Sequence, residues 1–292
     1  MTAQDIVKLY IPVTLGVIMF TMGLGLALSD FKRVVVEPRA MWVGLVNQLV
    51  TLPLVAFGLA FAFDLPPALA VGLIVIAACP GGPSSNLYSA LARGDVALSV
   101  SLTAVSGVIT MVTIPLVIGL GLDVFMGAKR EVHLDVPSTI LQLFLVVGLP
   151  LAIGMYVRFR HVERAMRLEK IMTKIAVLLL LTLIIGAVMK ERARLGEYFG
   201  ILGLPIIILS LSTTLFGLLS ALAFRLSMRQ SVTIGIEVGM QNAALGMGLA
   251  MTSLGSEEIA MPAALYGIIA YFTTAVALLI GRRFIRAPKQ IA

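Results

Sequence analysis

The chain is built from apolar segments of about 20 residues, and most charged residues lie between them. A helix of that length crosses the hydrocarbon core of a bilayer. Hydrophobic residues make up 59% of the 292-residue sequence and charged residues only 13%, which leaves too few polar side chains to cover a soluble domain. Because the apolar runs are continuous rather than alternating, they favour helices over transmembrane strands. The sequence predicts an all-α polytopic membrane protein.

We expect nine membrane-spanning helices, at about 6–29, 41–63, 68–91, 96–122, 136–157, 171–189, 200–224, 231–254 and 259–280. Asp5 and Lys8 precede the first run and no small-residue cleavage site follows it, so we expect that segment to be retained as a helix. With the N-terminus outside, 16 of the 22 basic residues fall on the inner side and 6 on the outer side. This bias predicts an inner (cell) membrane protein with a cytoplasmic C-terminus.

Two of the expected helices carry an interruption. The third contains Cys79-Pro80-Gly81-Gly82-Pro83, and two prolines with two glycines in five residues do not continue a helix. The eighth contains glycines and amides from Gly235 to Gly246, and we expect it to unwind around Glu237. Residues 6–122 and 171–280 then form two four-helix sets of opposite orientation, separated by the helix at 136–157. Paired interruptions in an inverted repeat are typical of a transporter's binding site.

Glu237 is the only acid that lies well within an expected span. A carboxylate at that depth costs roughly 2.5–3.5 kcal/mol unless a partner offsets it. Oxygen-bearing groups suited to Na⁺ accompany the two interruptions: Ser85, Asn86, Ser99, Thr103, Glu237 and Gln241. Ser99 and Thr103 are four residues apart and share one helix face.

For each of these polar residues, a purely structural role is the alternative to a role in ion binding. Serine and threonine in membrane helices often donate to their own i−4 carbonyl, so Ser99 and Thr103 need not be ligands. Glu237 could be a protonated carboxyl bonded to a neighbour, and Gln48 could make a helix–helix hydrogen bond. Cys79 is most simply a small packing residue.

Other function classes fit poorly. The net charge of +7 does not indicate nucleic-acid binding, because the basic residues lie at helix ends. The single Cys79 excludes an intramolecular disulfide and a cysteine-based metal cluster. No HExxH motif occurs, the spans contain no histidine, and Glu237 has no acidic partner, so an intramembrane hydrolase is not expected. A receptor would explain the topology but not two interruptions suited to cations.

Three segments together resemble the signature motifs of the bile acid:sodium symporter family, over nearly the whole chain. They are Cys79-Pro80-Gly81-Gly82-Pro83-Ser84-Ser85-Asn86, Leu91-Ala92-Arg93-Gly94-Asp95-Val96-Ala97-Leu98-Ser99 and Glu237-Val238-Gly239-Met240-Gln241-Asn242. The resemblance implies a panel domain, a core domain with two crossing discontinuous helices, and two Na⁺ sites. One site would use Ser85, Asn86, Ser99, Thr103 and Glu237, and the other Gln48, Glu237, Gln241 and the backbone oxygens of Val238 and Met240.

The resemblance also implies Na⁺-coupled symport of a small organic anion by alternating access, with the lipid bilayer as surroundings and no obligatory protein partner or nucleic acid. The cargo would be a bile-acid-like, keto acid or pantoate-like carboxylate. We expect substrate contacts at Pro83, Ser84, Asn242 and Tyr271. Pro83 stands where many relatives have threonine, and Ala270-Tyr271 where many bacterial relatives have His-Asn, so substrate choice stays open. H⁺-coupled transport and efflux by a carrier of related fold are the alternatives.

Overall fold

The structure is a computed structural model of the chain and describes residues 3–127, 135–190 and 192–285, with side chains described except at 3–9, 183, 184, 187, 188 and 190. Helix accounts for 87% of it. The described residues contain no named strand, only an isolated antiparallel bridge between Gly81 and Gln241. Four of the basic residues counted in the bias between the two membrane sides lie outside the described residues: Lys129, Arg130, Arg286 and Lys289. His133 also lies outside them.

The described parts of the chain contain fourteen α-helices. They are α1 (Ala3–Gly25), α2 (Leu28–Val36), α3 (Pro38–Val46), α4 (Leu52–Ala62), α5 (Pro67–Ala78), α6 (Ser84–Leu91), α7 (Val96–Phe125), α8 (Val136–Leu143), α9 (Leu149–Arg160), α10 (Val162–Lys190), α11 (Leu195–Ala223), α12 (Met228–Gly239), α13 (Ala243–Thr252) and α14 (Glu257–Phe284). Single π-helical turns, Asn47–Thr51 and Phe144–Gly148, make α3–α4 and α8–α9 continuous.

Five continuous segments of the described chain are long and apolar enough to cross a membrane: Pro38–Ala62, Val96–Phe125, Val136–Arg160, Leu195–Ala223 and Glu257–Phe284. The bent pair α1–α2 makes a sixth if it is one span, and α5 and α13 are shorter apolar helices. The protein is therefore a multi-pass helical membrane protein. The count of nine spans and the inverted repeat stay predictions.

Two expected boundaries differ from the structure. The first span was expected to continue to residue 29, but α1 ends at Gly25 and the chain bends by 66° into α2. The Asp30 carboxylate accepts a hydrogen bond of 2.7 Å from the backbone N–H of Ala27, which stabilises a new helix start. The basic stretch 158–170 was expected to be a connection, but it is helical on both sides of His161.

The helices pack in two groups. In the first group, α1 packs against α9 and α10. In the second, α12 and α14 pack against α11, while α5 packs against α7 and α14. The site described next lies where the two interrupted pairs, α5–α6 and α12–α13, meet.

Candidate functional site

The two helix interruptions are hydrogen-bonded to each other. The Gly82 N–H donates to the Met240 carbonyl at 2.9 Å, and the Asn242 N–H donates to the Pro80 carbonyl at 2.9 Å. Backbone groups freed by the breaks thus find partners inside the protein, as an apolar environment requires. Gly81 is needed at this crossing, because a Cβ there would collide with the Glu237 carboxylate.

Glu237 lies in the last turn of α12, with only 1% of its surface exposed. Its carboxylate accepts hydrogen bonds from Ser85 Oγ at 2.6 Å, from Ser99 Oγ at 2.8 Å and from Thr103 Oγ1. The expected unwinding around Glu237 is not what the structure has, since α12 stays helical as far as Gly239. The glycines serve packing instead: a Cβ on Gly235 would lie 2.7 Å from the Thr214 carbonyl of α11.

The remaining expected members of the first ion site lie beside this carboxylate on α6 and α7. Thr103 Oγ1 also lies 3.0 Å from the Ser99 carbonyl, so its single hydroxyl proton is shared between that local acceptor and Glu237. Asn86 follows Ser85 in the first turn of α6, and its Oδ1 is buried without a hydrogen-bond partner among the described residues. The unpartnered Asn86 oxygen, on the residue after Ser85, and the carboxylate with its three hydroxyls are hard oxygen ligands of the kind that a cation takes.

The second expected set is also brought together. Gln48 Nε2, on the π-helical turn after α3, donates to Gln241 Oε1 at 2.6 Å and to the Cys79 carbonyl at 2.9 Å. Gln241 Nε2 donates to the Val238 carbonyl at 2.7 Å. Gln48 therefore makes the helix–helix hydrogen bond that was its structural alternative. It contacts the first interruption at the Cys79 carbonyl and the second at the Gln241 side chain.

A cavity of about 800 Å³ adjoins the crossing. All four expected substrate contacts line it: Pro83, Ser84, Asn242 and Tyr271. The hydroxyls of Ser84 and Tyr271 are 2.7 Å apart. Asn242 caps α13 by accepting from the Leu245 N–H at 3.1 Å, which leaves its Nδ2 buried and unpartnered. The N-termini of α6 and α13 therefore both lie at this cavity, where helix dipoles favour an anion.

A cluster of hydroxyls around the Gly239 carbonyl was not predicted from the sequence. Ser210, Tyr266 and Thr274 donate to this oxygen at 3.1, 2.8 and 3.2 Å. Thr214 Oγ1 is buried near Gly239 without a described partner. Since the hydroxyls point their hydrogens at a carbonyl, the cluster fixes the end of α12 rather than offering a second set of cation ligands. The spacing of Ser210 with Thr214, and of Tyr266 with Thr274, was its only sequence signal.

The motif around Asp95 forms a junction at the start of α7, outside the membrane-spanning segments. Asp95 caps α7 through the Leu98 N–H at 3.0 Å and pairs with Arg33 of α2 at 2.8 Å. Its own N–H donates to Thr233 Oγ1 of α12 at 2.8 Å. Burial works to raise the pKa of Asp95, but the hydrogen bonds from Arg33 and Leu98 outweigh it, and the pKa is lowered. The junction ties α2, α7 and α12 together.

Comparison with known proteins decides the family. The sequence profile of the Sodium Bile acid symporter family matches residues 12–197. The chain belongs to this family. A relative from Bacillus subtilis, named uncharacterized sodium-dependent transporter YocS, is 34% identical over 260 residues. The match covers 89% of this chain and 78% of YocS. The Arabidopsis thaliana chloroplastic protein named probable sodium/metabolite cotransporter BASS1 is 32% identical, over 96% of this chain and 68% of its own length.

A more distant relative is the human sodium-dependent organic anion transporter, 27% identical over 85% of this chain and 65% of its own length. The resemblance drawn from the motifs is thereby confirmed. Membership of the sodium bile acid symporter family makes this chain a transporter rather than an enzyme.

Proposed function

We propose that this protein is a Na⁺-coupled symporter of a small organic anion. The observation that supports this most directly is Glu237, the one fully buried carboxylate among the described residues. Three hydroxyls contact it where two helix interruptions meet beside a cavity. The names of the relatives agree, since they describe sodium-dependent transport of metabolites or organic anions.

The proposed ion sites share Glu237. One Na⁺ would take oxygens from the first set (Ser85, Asn86, Ser99, Thr103, Glu237), and a second from the other set (Gln48, Gln241, Glu237 and the carbonyls of Val238 and Met240). Two Na⁺ against the one carboxylate at the crossing leave one surplus positive charge on that side of the cavity. No Lys, Arg or His is among the described residues that line this cavity. An anionic substrate would therefore be attracted by the ions and by the N-termini of α6 and α13.

Coupling follows from this shared geometry. Ions that bind at the crossing favour the arrangement in which both interruptions are ordered, and that arrangement also presents the helix N-termini to the anion. Each ligand then raises the affinity for the other by the same factor. We propose alternating access through movement of α1, α8, α9 and α10 against the remaining helices, in a nine-span inverted repeat with the N-terminus outside. Inward Na⁺ flow through the cell membrane would drive uptake.

Proton coupling through Glu237 is the second candidate. The number of surrounding oxygens weighs against it, because a proton needs one acceptor, whereas three hydroxyls surround the carboxylate. The amide groups of Gln48 and Gln241 would also have no part in a simple proton site. Efflux by a carrier of related fold would use the same residues with the opposite net direction.

Thermal unfolding of the purified protein in NaCl, KCl and choline chloride tests the proposal. A ligand that binds the folded state at a concentration 100 times its Kd stabilises it by about 2.7 kcal/mol. We expect Na⁺-selective stabilisation that is lost in Glu237→Gln and Gln241→Ala and retained in Glu163→Gln, which changes an exposed acid on α10. A shift with pH but no preference for Na⁺ would contradict the proposal and favour proton coupling.

A further inference from the structure

The cavity beside the crossing has two unlike walls. The core wall is formed by α6, α13 and α14, and it carries Ser84, Asn86, Asn242 and Tyr271 together with two helix N-termini. The panel wall is formed by α1, the bend after α1, and α10, and it is apolar apart from Thr21, Glu169 and Thr173. The hydroxyls of these two threonines are satisfied locally, since Thr21 donates to the Val17 carbonyl and Thr173 to the Glu169 carbonyl.

Glu169 is the only charged side chain among the described residues that line the cavity. It is half-buried, and a Cβ on Gly25 would lie 3.0 Å from its Oε1, so the carboxylate sits against the bend at the end of α1. Within the described parts of the chain, no hydrogen bond or ion pair joins this carboxylate to another residue. A half-buried carboxylate without a partner is costly to leave unsatisfied when a bound molecule displaces its water.

We infer that Glu169 is a specificity-determining residue that requires a hydrogen-bond donor on the substrate, a hydroxyl or an ammonium group, at the end remote from the substrate's anionic group. The inference rests on the proposed function and deepens it by naming the substrate class. The carboxylate of such a molecule lies at the helix N-termini of the core wall, its apolar body fills the cavity, and its donor reaches Glu169 on the panel wall. A second anionic group at the remote end would be repelled, so dicarboxylates are excluded.

A bipolar substrate also links the two walls. A molecule that contacts Asn242 on one side and Glu169 on the other bridges the two helix groups whose relative movement we propose for transport. A carboxylate lacking the remote donor would contact the core wall alone and leave Glu169 desolvated.

The test uses matched acids and the purified full-length protein in NaCl. One series is cyclohexanecarboxylate with hydrogen, hydroxyl, ammonium or carboxylate at the trans-4 position, and a longer series is decanoate with the same groups at the far end. Binding is measured by calorimetry and by thermal stabilisation. In at least one series we expect the hydroxyl and ammonium acids to bind about tenfold more tightly than the unsubstituted acid, as a hydrogen bond to a charged group implies, and the dicarboxylate to bind most weakly.

The variants separate the role of Glu169 from a general effect of charge. Glu169→Gln keeps a hydrogen-bond acceptor, so it should lose the preference for ammonium and the rejection of the dicarboxylate while retaining part of the preference for hydroxyl. Glu169→Leu should lose all three. Glu163→Gln, on the exposed face of the same helix, should behave like the wild type.

The outcomes distinguish the two proposals. Suppose that Na⁺ stabilises the wild type selectively, but that the acids of both series bind equally or do not bind at all. That result would overturn the inference about Glu169 and leave the symporter proposal standing. Preferences that persist in Glu169→Leu would overturn it as well, as would a Glu169→Gln variant whose Na⁺ dependence changes instead of its ligand preference. Absence of any Na⁺ effect in the wild type would contradict the proposed function itself.

Discussion

At the scale of single residues, side chains from three helices come together at one carboxylate. Glu237 belongs to α12, whereas the hydroxyls that contact it come from Ser85 of α6 and from Ser99 and Thr103 of α7. A hydroxyl can donate to the carboxylate and still offer a lone pair to a cation. Removal of one hydroxyl should therefore weaken ion binding more than it weakens folding.

Ser99→Ala tests this expectation against a closely matched control. Ser101 is also buried on α7, but its hydroxyl donates to the Ala97 carbonyl and does not touch Glu237. We expect Ser99→Ala to lower the apparent Na⁺ affinity by about tenfold, which corresponds to one lost charge-assisted contact, and Ser101→Ala to leave it unchanged. The measurement is a Na⁺ titration of thermal stability. Equal affinities in the two variants would remove Ser99 from the ion site.

The sequence could indicate these residues because an acid within a membrane span is costly, whatever surrounds it. Glu237 was found in this way, and Gln241 as an amide at the interruption beside it. The structure brings Gln48 to Gln241 across 193 positions of sequence. The hydroxyls on the Gly239 carbonyl could not be predicted. Buried serines and threonines on helices have a local alternative. Thr273, whose hydroxyl lies 2.6 Å from that of Ser210, donates to the Ile269 carbonyl of its own helix.

At the scale of helices, glycine in α12 permits close packing rather than unwinding. The sequence alone cannot separate these two uses, because both need the absence of a Cβ and neither leaves a periodic signal. The interruption lies at residues 240–242, after Gly239, where the backbone pairs with the other interruption. Its position depends on contacts with α5 and α6, so it could be predicted only to within a few residues.

Gly235→Ala should destabilise the packing of α11 against α12. Its Cβ would lie 2.7 Å from the Thr214 carbonyl and 3.2 Å from Leu218 Cβ, and backbone cannot move aside as a side chain can. We expect a loss of about 1–3 kcal/mol in unfolding free energy, typical of overpacking. In the control Gly203→Ala, the nearest atoms are the Phe199 ring at 3.6 Å, so stability should be unchanged or raised by up to about 1 kcal/mol. Comparable losses in both variants would contradict the packing role.

The start of α7 provides a prediction about pH. Because the pKa of Asp95 is lower in the folded than in the unfolded protein, its contribution to stability is present above the unfolded value near 3.8 and is lost as pH falls through the folded value. Asp95→Asn keeps the cap and loses the ion pair with Arg33. We expect it to be less stable by about 0.5–1.5 kcal/mol at pH 7.

That deficit should shrink as the pH falls below the unfolded value, because the wild-type carboxyl is then protonated as well. Chemical unfolding between pH 3 and 7, on the order of one measurement per half unit, follows the difference. Asp64→Asn, in the turn between α4 and α5, is the control and should show no comparable deficit. A deficit of constant size across this range would show that charge at Asp95 is not what stabilises the junction.

At the scale of the whole molecule, membrane embedding is evident from composition, but the number of spans is not a simple count of long helices. Five or six segments pass a test of length and apolarity. The half-helices α5 and α13 do not pass it alone, because each has about half of the length that a bilayer requires. The prediction of nine spans instead depends on pairing α5 with α6 and α12 with α13, and on the distribution of basic residues.

Alternating access can be tested at a contact between the two helix groups. Leu15 of α1 and Gly248 of α13 are both buried, and a Cβ on Gly248 would lie 3.2 Å from Leu15 Cδ2 and 3.9 Å from its Cγ. A cysteine pair at these positions, with Cys79→Ala, is close enough for a disulfide.

We expect oxidation to abolish Na⁺-driven uptake into proteoliposomes, because the bond prevents α1 from moving against α13. Reduction should restore uptake. Na⁺-dependent thermal stabilisation should survive oxidation, since residues 15 and 248 are not among the proposed ion ligands and the bond holds α1 and α13 in the arrangement that the structure already has. Each single-cysteine variant should transport equally in both redox states. Full uptake by the cross-linked protein would mean that these two helices stay together during transport, and the moving boundary would then lie elsewhere in the fold.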